Sequence, residues 1–308
     1  MKLQVLPLDK KKPLIEDESQ LNFGKQFTDR MFVMQYKTGQ GWHDARIQPY
    51  QAFSLDPAAM VLHYAQEIFE GLKAFRRPDG EIALFRPQDN FRRFNHGARR
   101  MCMPEVDEAF MLKSLKELIR LEADWVPHSE GTSLYIRPAL IASEPMLGVR
   151  PADEYLCFII LCPVGAYYKG GLAPVKIWIS DHYVRAAHGG TGEVKTGGNY
   201  AASLYAAREA EEKGYDQVLW LDADHLAGDV GGLVRGEEDD GGGDLLRRGD
   251  PVHGDQRQDH VQHAFVTGER GREAGIGQPR QHRVDPHLPR CAFLGEGLGH
   301  ADHRGLGD

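Results

Sequence analysis

The sequence predicts an α/β protein of two domains. Three observations carry that expectation. The chain has 308 residues, enough for two hydrophobic cores. Up to about residue 225, short apolar runs of strand length alternate with longer segments of helical period. One run, Tyr155 to Val164, is apolar at successive positions, as a central strand buried on both faces must be.

Taken in order, Met31 to Tyr36 and Met60 to Tyr64 are apolar runs of strand length. Leu72 to Arg76 and Glu81 to Phe85 flank Pro78-Asp79-Gly80, which reads as a hairpin turn. Arg86-Pro87 opens a polar helix carrying Arg92, Arg93, Arg99 and Arg100, which by residue type alone read as a solvated face. Val106 to Trp125 is amphipathic, with Met111, Leu115, Leu118 and Leu121 at helical spacing. Ser133 to Ile141 alternates as a strand. Ala166 to Pro174, with Gly170-Gly171, reads as a linker or mobile loop. Val175 to Ser180 follows as a strand. Asn199 to Lys213 reads as one helix closed by Gly214, and Gln217 to Leu221 as a further buried strand. The expected organisation is an N-terminal α/β domain over 1–165, an interdomain loop over 166–174, and the start of a second domain over 175–225.

Hydrophobic residues make up 41% of the chain and charged residues 27%, which is ordinary for a globular protein. A net charge of −8 argues against a nucleic-acid surface, which needs a clustered basic face, and favours small-molecule partners. Cys102, Cys157, Cys162 and Cys291 fit no zinc spacing and no disulfide framework; Cys157 and Cys162 lie in an apolar run, so for these two buried thiols in a reducing compartment are expected. The N-terminus has no signal-peptide pattern, and the longest apolar run is far short of a membrane span. A cytoplasmic protein without membrane contact is the expectation.

Near His225 the composition changes abruptly. From Leu226 to Asp308 there is no Lys, Ser, Asn, Tyr, Trp or Met, while 18 residues are Gly and 7 are His. No window there alternates at the period of a strand or a helix, and little apolar surface is available to offset the entropy of ordering the backbone. Two explanations compete: a natural disordered tail, or translation of a GC-rich gene in a wrong reading frame, which produces Gly, Arg, Asp and His in excess. The sharpness of the change favours the second. Within the tail, Glu237-Glu238-Asp239-Asp240 lacks the alternating ligand spacing of a calcium loop, and His253, His260 and His263 are too loosely spaced for a metal site.

The stretch richest in chemistry is Gly192-Glu193-Val194-Lys195-Thr196-Gly197-Gly198-Asn199-Tyr200. Glycines let a backbone and a ligand approach closely. A lysine amine that is to act as a nucleophile must be reachable and must shed its proton, which partial burial favours. Tyr200, at a helix start, places a hydroxyl in reach of the same position. Tyr135 and Arg137 lie at i and i+2 on a strand and so face the same way.

His63-Tyr64-Ala65-Gln66-Glu67-Ile68-Phe69-Glu70-Gly71-Leu72-Lys73-Ala74-Phe75, Leu84-Phe85-Arg86-Pro87, Gly131-Thr132-Ser133-Leu134-Tyr135-Ile136-Arg137-Pro138, Leu161-Cys162-Pro163-Val164-Gly165-Ala166-Tyr167 and Lys195-Thr196-Gly197-Gly198-Asn199-Tyr200 stand in the order and at the spacing of a known family. Over residues 20 to 225 the chain resembles the branched-chain amino acid aminotransferases of fold type IV. The resemblance implies a two-domain fold with pyridoxal 5'-phosphate in the cleft between the domains. It implies that Lys195 is the Schiff-base lysine and the base that moves the substrate proton, that Arg93 binds the cofactor phosphate, and that Tyr200 hydrogen-bonds its phenolic oxygen. It makes Tyr64 and Phe69 walls of the side-chain pocket and Tyr167 a residue that closes over the substrate. Tyr135 with Arg137 suits a pocket that takes either an aliphatic side chain or the distal carboxylate of glutamate. The implied reaction moves an amino group from Leu, Ile or Val to 2-oxoglutarate in a homodimer. Transamination of D-amino acids and aminodeoxychorismate lyase chemistry are the alternatives within the same fold.

The resemblance weakens after Val218-Leu219-Trp220-Leu221. Asp229-Val230-Gly231 stands near the family's Glu-Val-Gly, so Asp229 takes the place of the glutamate that pairs with the pyridine nitrogen, with a shorter side chain. The later turns that cradle the phosphate and the substrate carboxylate have no counterpart, so the second domain is incomplete by sequence. A rival expectation is therefore a truncated or frameshifted relative without catalysis.

Overall fold

The computed structural model of the protein describes residues 1–165 and 174–221. Tyr167, Asp229, Cys291, the linker glycines Gly170 and Gly171, and the tail from Leu226 lie outside the described residues. The described residues group into two compact units, 1–165 with Val184–Tyr205, and 174–183 with 206–221.

The first unit is built on an eight-stranded sheet: β1 (Gln4–Val5), β2 (Arg30–Lys37), β3 (Gly41–Pro49), β4 (Glu67–Phe69), β5 (Leu72–Arg76), β6 (Ile82–Leu84), β7 (Ser133–Ala142) and β8 (Glu154–Val164). The strand order is β1-β3-β2-β8-β7-β5-β6, with β4 also on β7, and every pair except β1 with β3 is antiparallel. The apolar run from Tyr155 is central, as expected, because both its faces have something to bury against. Tyr155, Cys157, Ile159 and Leu161 enter the main core, and Leu156, Phe158 and Ile160 enter a smaller cluster on the opposite face. β2 sorts the same way, with Phe32 and Met34 in the main core and Met31 and Val33 in the smaller cluster.

Helices α1 (Met60–Tyr64), α2 (Pro87–Arg100) and α3 (Glu108–Leu121) precede β7. The main core is closed by Phe91, Phe94 and Ala98 of α2 and by Met111, Leu115 and Leu118 of α3. Burial of each large side chain contributes about 1.5–3 kcal/mol. Asp107 starts α3 by accepting a hydrogen bond from the Phe110 N–H at 3.0 Å, a cap typically worth about 1 kcal/mol. Cys157 and Cys162 are buried and free, and burial raises both thiols above their ordinary value. Among the described residues no helix is long and apolar enough to cross a membrane.

Three expectations are corrected. Met60–Tyr64 is one helical turn, not a strand. Only Met60 is buried, and Ala65, at φ 49°, closes the turn through its N–H to the Val61 carbonyl. In five residues the apolar pattern does not distinguish the two periods. Asn199–Lys213 is not one helix but two, α4 (Gly197–Ala201) and α5 (Leu204–Glu212). The Ser203 hydroxyl donates to the Tyr200 carbonyl at 2.7 Å, so the side chain occupies an acceptor at the break. Gly214, at φ 78°, does end α5 as expected. In the second unit β9 (Ile177–Ser180) pairs in parallel with β10 (Gln217–Trp220), but β10 is not buried: Gln217 and Leu219 are exposed. Strand β3 has no counterpart among the expected strands, because its sequence is largely polar and only Ala45, Ile47 and Gln48 are buried.

Glu18 ties the N-terminal segment to the turn before β7. Its carboxylate accepts the His128 N–H at 2.8 Å and the Ser129 N–H at 2.6 Å. Burial pushes this carboxyl up, but the hydrogen bonds from Ser129 and His128 outweigh it and hold the group at about 2, below its ordinary 4.5. The depressed value means that the bond stabilises the fold above pH 4.5, and that this contribution is lost as pH falls toward 2. Glu18→Gln is expected to lower the unfolding free energy by about 1–2 kcal/mol at pH 7. In urea titrations its deficit against the parent chain should shrink steadily below pH 4.5. A deficit that does not change with pH would show that the ionised group contributes nothing.

Candidate active site

The site begins with strand register. Glu67, Ile68 and Phe69 oppose Ile141, Leu140 and Ala139, and Leu72, Lys73 and Ala74 oppose Ile136, Tyr135 and Leu134. The two pairings keep one register, so alternation decides which side chains meet. Ile68, Leu134, Ile136 and Leu140 enter the main core. Glu67, Phe69, Gly71, Tyr135 and Arg137 therefore share the other face. The expectation that Tyr135 and Arg137 face the same way holds, and Arg137 Nη2 donates to the Tyr135 hydroxyl at 2.9 Å. The Arg137 guanidinium also lies over the Phe69 ring, 4.5 Å from its centroid. Arg137 Nε is buried with no hydrogen-bond partner among the described residues.

Gly71 makes room for this arrangement. A Cβ there would run into the Tyr135 hydroxyl and lie 3.0 Å from the ring carbon that bears it. Gly71→Ala is expected to cost about 1–3 kcal/mol, because a stiff ring must move and the Tyr135–Arg137 hydrogen bond breaks with it. Thermal unfolding of the variant tests this, and an unchanged midpoint would mean that the ring swings aside freely.

The lysine segment is laid onto this face by backbone bonds. The Phe69 N–H donates to the Lys195 carbonyl at 3.0 Å, and the Thr196 hydroxyl donates to the Glu67 carbonyl at 2.8 Å. Val194 and Thr196 are buried on either side, while Lys195 itself is half-buried. Asn199 ties the loop from within. Its Nδ2 donates to the Thr191 and Val194 carbonyls at 2.7 and 2.8 Å, and its Oδ1 accepts from the Thr191 hydroxyl at 2.8 Å. Arg100, at the end of α2, braces the loop from outside, donating to the Gly189 and Gly190 carbonyls and pairing with Glu193 at 3.1 Å.

Lys195 Nζ comes within 3.5 Å of the Tyr200 hydroxyl. The Tyr200 ring packs against Phe69 at 4.9 Å between centroids, and the Arg185 guanidinium lies 5.5 Å from the same ring. Lys195, Tyr200, Phe69, Arg137 and Tyr135 thus form one connected group. Arg93 is anchored through the residue that follows Phe69, which turns inward, away from the face that carries Phe69 and Arg137. Its Nε and Nη2 fork onto the carboxylate of Glu70 at 2.6 and 2.9 Å, and Glu70 is 1% exposed. Tyr64 is not brought in: it is exposed at the end of α1, with a ring contact to His63.

Site reasoning from the sequence did not single out Glu67, Glu70, Asn199 or Arg185. The signal for the first two was present in the alternation of Gln66, Ile68 and Glu70 inward and Glu67 and Phe69 outward. Glu67 is half-buried, and burial raises its carboxyl above the usual carboxylate range although the Gly197 N–H and Arg137 both pull it down.

A half-buried amine beside a phenol, next to aromatic walls and a guanidinium, is equipped for covalent capture of a carbonyl compound and for proton transfer. Comparison with known proteins agrees. Residues 67–226, just over half the chain, match the family described as amino-transferase class IV. The chain is 53% identical over 222 residues to branched-chain-amino-acid aminotransferase 2 of Bacillus subtilis (strain 168), covering 72% of this chain and 60% of that one. It is 56% identical over 215 residues to branched-chain-amino-acid transaminase 1 of the same organism, covering 70% and 60%. The chain thus spans about 60% of the length of these curated relatives. Among solved structures, the branched-chain aminotransferase of Thermoproteus uzoniensis aligns with a TM-score of 0.51 at 23% identity, over 63% of this chain and 61% of that one. The branched-chain amino acid aminotransferase of Thermobaculum terrenum aligns with a TM-score of 0.50 at 21% identity, over 63% and 59%. Those likenesses bear out the expected mixed α/β fold of type IV, and the sequence matches settle the family: this chain belongs to the class IV amino-transferases.

Proposed function

We propose that the protein transfers amino groups between the branched-chain amino acids Leu, Ile and Val and 2-oxoglutarate, which becomes glutamate, using pyridoxal 5'-phosphate held on Lys195. The observation that carries this reading is the approach of the Lys195 amine to the Tyr200 hydroxyl beside Phe69 and Arg137. The names of the relatives at 53% and 56% identity favour branched-chain substrates over D-amino acids or aminodeoxychorismate. The solved neighbour from Thermobaculum terrenum is in its PLP-form.

The residues present fit that cofactor. Lys195 is tethered by its backbone while its amine stays reachable. Gly198 has no atom within 4 Å of the place a Cβ would occupy, and Arg137 Nε is a buried donor without a partner among the described residues. When bound, the cofactor supplies the electron sink that lets an amino acid lose its Cα proton. Lys195 Nζ takes that proton and returns it, with Tyr200 holding a hydrogen bond beside it. Arg93, fixed by Glu70, is the proposed phosphate ligand, and Asp229 the proposed partner of the pyridine nitrogen. Phe69 and Tyr167 are the proposed walls of the side-chain pocket, while Tyr64, exposed at the end of α1, is left out of it. Tyr135 and Arg137 receive the distal carboxylate of glutamate or 2-oxoglutarate. A cytoplasmic homodimer is part of the proposal.

A second reading, a chain without catalysis, is favoured by one observation: the family match ends at residue 226, where the composition changes. Coding DNA decides its origin. A single-base insertion or deletion near codons 222 to 234 that restores a family-like continuation supports it.

The test of amino transfer is a visible absorption spectrum of the 308-residue chain with pyridoxal phosphate, beside a Lys195→Ala control. A band that depends on Lys195 and is lost on adding leucine supports it. Absence of the band removes the claim that this chain is an active enzyme.

A further inference from the structure

The face that carries Phe69, Tyr135 and Arg137 also carries a carboxylate with no part in the proposed transfer. We propose that Glu67 sets the balance between the two substrate classes, competing with the distal carboxylate of 2-oxoglutarate or glutamate for the Arg137 guanidinium. This inference rests on the proposed function, because it takes Arg137 as the group that receives that carboxylate.

Glu67 and Phe69 are neighbours on one face of β4, and the Arg137 guanidinium lies 4.5 Å over Phe69. Glu67 is held from three sides: by pairing with Ile141, by the Thr196 hydroxyl on its carbonyl, and by the Gly197 N–H on its carboxylate. A Cβ on Gly197 would collide with that carboxylate, so the close seat exists only because residue 197 has no side chain. Among the described residues the ionisable groups around it are few. Ile141 is the residue opposite Glu67; Arg137 and then Tyr135, opposite Lys73, lie further along β7 on the same face, and Lys195 and Tyr200 stand on the segment bound to β4. Arg185 lies over Tyr200, and on α2 Arg93 is already forked onto Glu70. Arg137 is the charged group that acts on Glu67, pulling its carboxyl down against the effect of burial.

The two kinds of ligand meet this pair differently. An aliphatic side chain brings no charge, so the Glu67–Arg137 attraction persists. A second carboxylate arriving at Arg137 faces a like charge in a partly dry site, so Glu67 must either repel it or take up a proton. Dicarboxylate binding is then weakened and coupled to proton uptake, while aliphatic monocarboxylate binding is neither.

Calorimetric titration tests this on the full chain with pyridoxal phosphate present. Glutarate and 4-methylpentanoate serve as probes, each in two buffers of different ionisation enthalpy. Glu67→Gln is expected to tighten glutarate about tenfold while leaving 4-methylpentanoate within about twofold. The parent chain should take up a fraction of a proton with glutarate and none with 4-methylpentanoate. Glu67→Asp, which keeps the charge, should preserve the parent ratio. Proton uptake is measured on the parent chain itself, so the question is decided even where Glu67→Gln fails to fold. Equal effects of Glu67→Gln on both probes, or glutarate binding without proton uptake, overturns the inference and leaves the proposed function standing. Binding of neither probe overturns the proposed function and the inference with it.

Discussion

Truncating Glu70 to alanine is expected to lower the unfolding free energy by about 3 kcal/mol. The Glu70 side chain is 1% exposed and accepts four hydrogen bonds: two from Arg93, one from the Gly71 N–H at 3.1 Å and one from Asn90 Nδ2 at 3.1 Å. Its removal takes the carboxylate away from Arg93, whose side chain is 22% exposed, and takes one acceptor from the Gly71 N–H and one from the Asn90 amide. Removing one member of a buried pair costs about 3–5 kcal/mol, and the exposed fraction of Arg93 lets water recover part of that. Urea unfolding followed by tryptophan fluorescence gives the number. A double-mutant cycle with Arg93→Ala separates the pair from its surroundings, and a coupling below about 0.5 kcal/mol would reduce Glu70 to a packing residue. The pair also fixes where Arg93 points, so a site that depends on Arg93 for phosphate depends on Glu70 for stability.

Much of the first unit was legible because its strands and helices carry their burial in their period. The run from Tyr155 announces a two-sided strand, and the stripe Met111, Leu115, Leu118 announces a helix against a sheet. That Tyr135 and Arg137 face the same way followed from alternation, while their choice as a pair followed from the resemblance. Polar β3 and the single turn at Met60 were not legible, since neither has enough apolar positions to show a period. In the candidate site, Lys195, Tyr200, Phe69, Tyr135, Arg137 and Arg93 were named from the sequence, Glu67, Glu70, Asn199 and Arg185 were not, and the attachments were not legible at all. The expected start of a second domain at residue 175 gives no hint that the lysine segment bonds to β4. That attachment depends on backbone groups, and backbone groups leave no mark in side-chain patterns. Arg93 shows the same limit. The sequence supplies a guanidinium on a helix, but its direction is set by Glu70, a residue that directly follows β4 and lies well before α2 begins at Pro87.

Replacing Lys195 with alanine is expected to abolish amino transfer, by more than about 10³-fold, while changing stability by less than about 0.5 kcal/mol. The two halves have different physical origins. Stability of the segment lies in its neighbours: Val194 and Thr196 are buried, Asn199 ties the loop through three side-chain hydrogen bonds, and the Lys195 bond to β4 uses its backbone carbonyl. Among the described residues the Lys195 side chain makes one hydrogen bond, at 3.5 Å to Tyr200, so its loss leaves little unsatisfied. Chemistry, by contrast, has no second amine to turn to among the described residues of this face apart from Lys73, which lies on β5 opposite Tyr135. Single-turnover conversion of cofactor with leucine measures the rate, and urea unfolding of the same samples measures the fold. A variant that keeps turnover within about tenfold would remove Lys195 as the base. A variant that loses about 2 kcal/mol or more would instead make this lysine a structural residue, and the half-buried amine beside Tyr200 would need another explanation.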